Sequence, residues 1–342
     1  MHAPRLARLE LAGRVILPVR VGRRRSSGGV ANAAAAGASR TQGSLGGEAS
    51  LGMPTVSVCI ARHGEREDYV DKGWVSRAPD PHDPPLTSHG KKQAAALGRR
   101  LSASSALDQP GGMGSPAVTR VFTSPLTRCV QTAHEVCQAL GPDVKLHVEP
   151  GLMEWSCDAW YASWAIAGTD GTWGGAKHLG SRKQRLLAPV EREEAHNCLS
   201  TLLKSPEELY RSVSDRIEQS YTPLTDLSVL GITAKKPERW AQMLRRTHAT
   251  MHGLVARYPG ESLLVVTHGA TIQGCLKAMV PGEGEIPAIN YTSLTVCIKE
   301  VEPAESTGQE VGEDLEWTTH LIGCTRHLTG MDQGVDNAAV WK

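Results

Sequence analysis

The chain has 342 residues, enough for one large domain or two ordinary ones, and its 40% hydrophobic content supplies a full core. A formal net charge of +1 gives no nucleic-acid footprint to the whole chain. Eight scattered cysteines, with no CxxC pair and no Cys/His cluster at zinc spacing, argue against a disulfide framework or zinc domain and read as reduced core residues of an intracellular protein.

The charge is unevenly placed. Residues 1–50 hold eight Arg against Glu10 and Glu48, a local charge of +6, so the remainder carries −5. That head is rich in Arg, Ala, Ser and Gly, the composition of an organelle transit peptide or of an ordinary disordered tail. Residues 26–52 read as a flexible Gly/Ala/Ser linker. The expectation is a disordered basic head over 1–52 and one domain over 53–342. Its location is then cytoplasmic or, if the head is a transit signal, mitochondrial or plastid. No segment is apolar enough to span a bilayer, so no membrane partner is expected.

The body opens with Thr55 to Ala61, a β-branched run that predicts a buried strand ending at Arg62-His63-Gly64. After a Pro/Asp loop, a helix follows Leu86-Thr87-Ser88-His89-Gly90, with Ala94, Leu97 and Leu101 on one face. A second strand is predicted over Val118 to Thr123. Ser124-Pro125, a cap residue followed by proline, predicts the start of a helix running to Leu140. Val144 to Val148 reads as a third strand.

Residues 157–205 are irregular and read as an insertion. Trp155, Trp160, Trp164 and Trp173 crowd its start, either packing its core or walling a flat substrate. Helical pattern resumes at Ser205-Pro206-Glu207-Glu208 and again from Pro237 to Arg257. Ser262 to Thr267 is a strand ending at His268-Gly269, with a helix after it to Met279. Late strands are expected near Thr292 to Val301 and Leu315 to Ile322. Strands alternating with helices predict an α/β three-layer sandwich with a mostly parallel central sheet.

Two segments share one design, a buried strand that delivers His-Gly from its carboxyl end: His63-Gly64 and His268-Gly269. Ligands of open α/β sheets sit at that edge, so both imidazoles can face one pocket, with Gly64 and Gly269 letting the backbone approach a ligand. Arg62, Arg66 and Arg128 gather near His63, and a planar guanidinium fork suits a tetrahedral dianion. These parts assemble a phosphoryl-transfer site: His63 as nucleophile, kept neutral by nearby cations, with His268, Arg62 and Arg128 holding the equatorial oxygens. A carboxylic acid must protonate the leaving group. Glu149 and Glu154 are the candidates, and Glu154 is preferred because Trp155 can help desolvate it. His89 reads as structural.

Four ordered motifs, Arg62-His63-Gly64-Glu65-Arg66, Ser124 to Arg128 with Gln131-Thr132-Ala133, Glu149 to Trp155, and Thr267-His268-Gly269, resemble the histidine phosphatase superfamily with its phosphoglycerate-mutase-like fold. Asp83 to Thr87 (DPPLT) and the EPGLMEW run look most like the suppressor-of-T-cell-receptor-signalling and ecdysteroid-phosphate phosphatase group. The resemblance implies phosphomonoester hydrolysis with His63 as nucleophile and Arg62, Arg128 and His268 as the phosphate pocket. It implies Arg66 as an accessory contact, Glu154 as general acid, and no metal or cofactor. Arg66-Glu67-Asp68 departs from the mutase pattern, and Ala270 after Gly269 removes the donor position of the acid-phosphatase branch. The upstream ubiquitin-binding and SH3 modules of the animal signalling members have no counterpart in these residues, which speaks against an adaptor role. The expected partner is a phosphorylated small molecule or phosphoprotein, and a homodimer is compatible. The alternatives are a phosphoglycerate-type mutase or bisphosphatase, and a catalytically silent binding module of the same fold.

Overall fold

The computed structural model describes residues 55–71, 73–78, 83–102, 117–155, 211–225, 238–282, 286–287, 289–300 and 317–332. All of these belong to one compact unit, residues 51–342. The basic head, the insertion at about 157–205 and the helix start at Ser205-Pro206 lie outside the described residues.

Strand β1 (Thr55–Arg62) leads through two short helices, α1 (Glu67–Val70) and α2 (Trp74–Arg77), to α3 (Ser88–Ser102). Then come β2 (Arg120–Thr123), α4 (Thr127–Leu140), β3 (Leu146–Val148) and a 3-10 turn, Pro150–Leu152. After a second 3-10 segment, Arg211–Arg216, the long helix α5 (Trp240–Arg257) precedes β4 (Leu263–Thr267) and α6 (Gly269–Met279). Strands β5 (Leu294–Glu300) and β6 (Thr318–Cys324) follow.

The six strands form one sheet in the order β3-β2-β4-β1-β5-β6. Strands β3, β2, β4 and β1 pair in parallel, while β5 runs antiparallel to both of its neighbours. The mostly parallel sheet read from the sequence is therefore present, with β5 as the reversal.

Alternation along the strands builds the layers. Cys59, Ala61, Leu264 and Val266 pack with Leu97 and Leu101 of α3 and with Val130, Ala133 and Val136 of α4. Val58, Ile60, Leu263 and Val265 face the other way, onto Met251 and Leu254 of α5 and Ile272 and Leu276 of α6. A sheet covered on both faces needs strands that are apolar throughout, which is why β1 and β4 read as unbroken hydrophobic runs. Each such side chain stabilises the fold by roughly 1.5–3 kcal/mol when fully buried.

Several boundaries move. Strands β2 and β3 start two residues later than the hydrophobic pattern predicts, and α5 starts at Trp240, not Pro237. At α5 the amide of Arg239 donates to the side chain of Gln242 at 2.8 Å, closing a cap that the proline signal did not locate. Strand β5 starts at Leu294 because Thr292, with φ of 49°, sits in the left-handed region and turns the chain first. Among the described residues no helix is long and apolar enough to cross a membrane.

Candidate active site

Strands β1 and β4 are direct neighbours, and Arg62 pairs with Thr267. The two following residues, His63 and His268, therefore leave the sheet side by side, with ring centroids 5.3 Å apart and both residues almost wholly buried. The sequence reading required this convergence.

His63 Nδ1 lies 2.8 Å from the carbonyl oxygen of Gly64. A carbonyl only accepts, so Nδ1 carries the ring proton and Nε2 keeps its lone pair. Burial, then the charges of Arg128, Arg62 and Arg66, hold the pKa of His63 well below its ordinary value. The ring is thus neutral, with a fixed tautomer and an unprotonated Nε2.

His268 is held from both sides. Arg128 Nη2 lies 3.2 Å from Nδ1, and the hydroxyl of Ser124 lies 2.7 Å from Nε2. Because guanidinium only donates, the neutral ring accepts at Nδ1 and donates from Nε2 to Ser124. Burial, then Arg128 and His63, also pushes this histidine well down.

Arg128 stands in the first turn of α4 and is fully buried. Among the described residues its Nε and Nη1 have no hydrogen-bond partner, and its Nη1 is 3.7 Å from Asp83. Arg62 donates to the carbonyl of Ile289 at 2.7 Å and lies over the Tyr291 ring, 4.6 Å from its centroid. Arg66 already grips Asp68 through Nε at 2.9 Å and Nη2 at 2.5 Å. That edge of its fork is occupied, and its charge helps hold both His63 and His268 down.

The two glutamates separate cleanly. Glu149 is fully buried, and its carboxylate accepts from the amides of Gly151, Leu224 and Thr225 and from the Tyr221 hydroxyl, all within 3.1 Å. It braces the turn after β3. Glu154 instead reaches His268, with Oε2 3.7 Å from Nδ1, while Oε1 accepts from the Trp155 amide at 3.0 Å. Burial raises its pKa, against the opposing pull of Arg128.

Two sequence expectations need correction. Ser124 does not cap α4, which begins at Thr127 with Leu126 at the cap position; its hydroxyl serves His268 instead. The cap comes from Asp83, whose carboxylate accepts from the Thr127 amide at 2.9 Å and hydroxyl at 2.6 Å. Gly64 was expected to admit a ligand, yet its α-carbon is pressed against the main chain at Gly90. Gly269 opens α6, where an added Cβ would meet only Arg62, at 3.8 Å.

The family model for the histidine phosphatase superfamily (branch 1) matches residues 58–185 and 214–311, more than half of the chain. The chain belongs to the histidine phosphatase superfamily.

Among curated relatives, Ubiquitin-associated and SH3 domain-containing protein A of Homo sapiens is 26% identical over 255 residues, which is 66% of this chain and 31% of the relative. Ecdysteroid-phosphate phosphatase of Drosophila melanogaster is 23% identical over 250 residues, 65% of this chain and 26% of the relative. The chain therefore spans less than a third of the length of these relatives. Among solved structures, the ecdysone phosphate phosphatase EPPase from Bombix mori in complex with tungstate is 19% identical, covering 75% of this chain and 97% of that one with a TM-score of 0.44, a likeness too distant to carry an argument.

In this histidine phosphatase superfamily member the sequence reading missed supporting residues. Thr132 accepts from the Gly64 amide at 3.0 Å, and Tyr291 packs beside His63 with centroids 5.8 Å apart. Thr132 lies in the Gln131-Thr132-Ala133 run of the family motif, which did not tell its role, and Tyr291 has no local signature. Arg246 did leave a signal, a lone cation on the buried face of α5 formed by Met243, Thr247, Thr250 and Leu254.

Proposed function

We propose that the chain hydrolyses phosphate monoesters, of small molecules or of proteins, through a phosphohistidine on His63. The observation that carries this reading is the state of Arg128. A guanidinium buried beside two neutral imidazoles, with two donors lacking hydrogen-bond partners among the described residues and the Asp83 carboxylate no nearer than 3.7 Å, is costly unless a closer anion completes it. A phosphate dianion supplies the missing acceptors and charge.

His63 Nε2 attacks phosphorus in line with the ester oxygen. The P–N bond forms as the P–O bond breaks, and Glu154 gives its proton to the departing alkoxide or phenoxide. Arg128, oriented by His268, and Arg62 hold the equatorial oxygens, so charge developing in transfer is met by groups already in place. Ionised Glu154 then takes a proton from water. The resulting oxygen attacks phosphorus, the P–N bond breaks, and the lone pair returns to Nε2.

The test is release of nitrophenol and phosphate from 4-nitrophenyl phosphate in excess chelator, with a rapid quench that traps an acid-labile phosphoenzyme. Both signals are expected from the native chain and neither from His63→Ala. Turnover confined to phosphoglycerates would favour a mutase, and no difference between native and variant chains would remove His63 as the nucleophile.

A further inference from the structure

Beneath the proton donor lies a second charged pair, Arg246 on α5 and Glu238 just before it. Both are buried, and the carboxylate of Glu238 grips Arg246 at Nε and Nη2, each at 2.8 Å. The remaining edge of the guanidinium faces the segment that carries Glu154. Arg246 Nη1 donates to the carbonyls of Gly151 at 2.6 Å and Met153 at 3.0 Å, and Nη2 lies 3.5 Å from that of Glu154 itself.

Other contacts tie down the same turn. Thr267 and Thr271, either side of His268, donate through their hydroxyls to the carbonyls of Leu152 at 2.6 Å and Met153 at 2.9 Å. The Trp155 indole donates to the carbonyl of Glu238 at 2.9 Å and packs edge-on against Trp240. No helix or strand holds Glu154, which follows a single 3-10 turn. One guanidinium instead collects three carbonyls of this turn.

We infer that Arg246, oriented by Glu238, is the positioning residue of the proton donor, setting where Glu154 stands relative to His268. The inference rests on the reading of Glu154 as general acid. Only Arg fits, because the role needs a planar fork that grips a carboxylate on one edge and carbonyls on the other. A proton donor displaced by about 1 Å loses much of its contribution, and that loss depends on how badly the leaving group needs the proton. A merely structural residue would slow all esters alike.

The experiment compares phenyl phosphate, whose leaving group needs protonation, with 4-nitrophenyl phosphate, whose leaving group needs it much less. Arg246→Lys keeps the charge and loses the fork. It is expected to lower kcat/KM, which excludes the shared breakdown of the phosphohistidine, on phenyl phosphate roughly tenfold or more and on 4-nitrophenyl phosphate less than about threefold, the pattern also expected of Glu154→Gln. The double variant is expected to be no slower than Glu154→Gln alone, since both changes remove one function. Glu238→Gln, nearly isosteric, is the second variant should the lysine chain fold poorly, and the same direction is expected. Equal slowing of both esters by Arg246→Lys or Glu238→Gln, or additive loss in the double variant, overturns the positioning role while leaving Glu154 as the acid. Equal slowing of both esters by Glu154→Gln overturns both, with the acid assignment at fault.

Discussion

Gly64 and Gly90 meet main chain to main chain: a Cβ on Gly64 would stand 2.5 Å from the carbonyl oxygen of Gly90, and one on Gly90 would stand 2.3 Å from that of Glu65. The residue after His63 is thus locked to the start of α3. Its amide is held by Thr132 and its neighbour's amide by Gln93, at 3.0 and 2.9 Å. The two glycines therefore position His63 by letting protein backbone approach protein backbone.

This predicts unequal outcomes at two sites that look alike in sequence. Gly64→Ala forces main chain apart and is expected to destabilise by about 2–4 kcal/mol and to slow turnover. Gly269→Ala meets only Arg62, at ordinary contact distance, and is expected to change stability by less than about 1 kcal/mol. Denaturant midpoints at constant slope measure both.

Glu149→Gln and Glu154→Gln should fail in different ways. Glu149 accepts from four donors in a buried site, so replacing one acceptor oxygen with NH2 sets donor against donor. A loss of about 2–3 kcal/mol in stability is expected, with similar relative rates on phenyl and nitrophenyl esters. Glu154→Gln should leave the melting temperature nearly unchanged and widen the ratio of those rates. The reverse pattern would exchange their roles.

The pH dependence follows from the two shifted groups. His63 must be neutral, and its pKa is held well below 6.5, so the acid limb of kcat/KM lies on the acid side of an ordinary imidazole. Glu154 must be protonated, and burial raises its pKa above the ordinary 4.5, so the basic limb lies above the usual carboxylate range. A bell with its maximum on the acid side of neutrality is expected, and Glu154→Gln should remove only the basic limb. Stability is linked to the same histidines. His63, His268 and His327, the last pushed down to about 4 by burial, stay neutral in the fold but take up protons when unfolded below 6.5. Stability is therefore expected to fall as pH drops from 6.5, and His327→Asn should flatten that fall between 6.5 and about 4.

Asp83 links a helix cap to the phosphate cation. Asp83→Ala removes the acceptor from Thr127 at the start of α4, for a loss of about 1–2 kcal/mol, and takes away the carboxylate nearest Arg128. Because that carboxylate competes with a phosphate dianion for Arg128, the KM for aryl phosphate is expected to fall, not rise. Asp83→Asn retains an acceptor for the Thr127 amide and should recover most of the stability while keeping the lower KM. Steady-state kinetics and thermal melts of both variants decide it.

The chain's own order of residues was enough to read the layered fold, the strand-to-His-Gly design at two places, and the guanidinium groups that accompany them. Those features are local: an apolar run long enough for a strand covered on both faces, and a residue type at its carboxyl end. Strand order was beyond that reading, and it alone makes β1 and β4 neighbours and so brings His63 within 5.3 Å of His268. The same limit applies to Glu149 and Glu154: the sequence favours Glu154 through Trp155 and the motif, but only the fold has distant Tyr221 and Thr225 already filling the oxygens of Glu149. Asp83 as the cap of α4 and Arg246 as the anchor of the Glu154 turn also emerge only once the chain is folded. A hydrogen bond across the sequence is set by where elements pack, and packing is a property of the whole core.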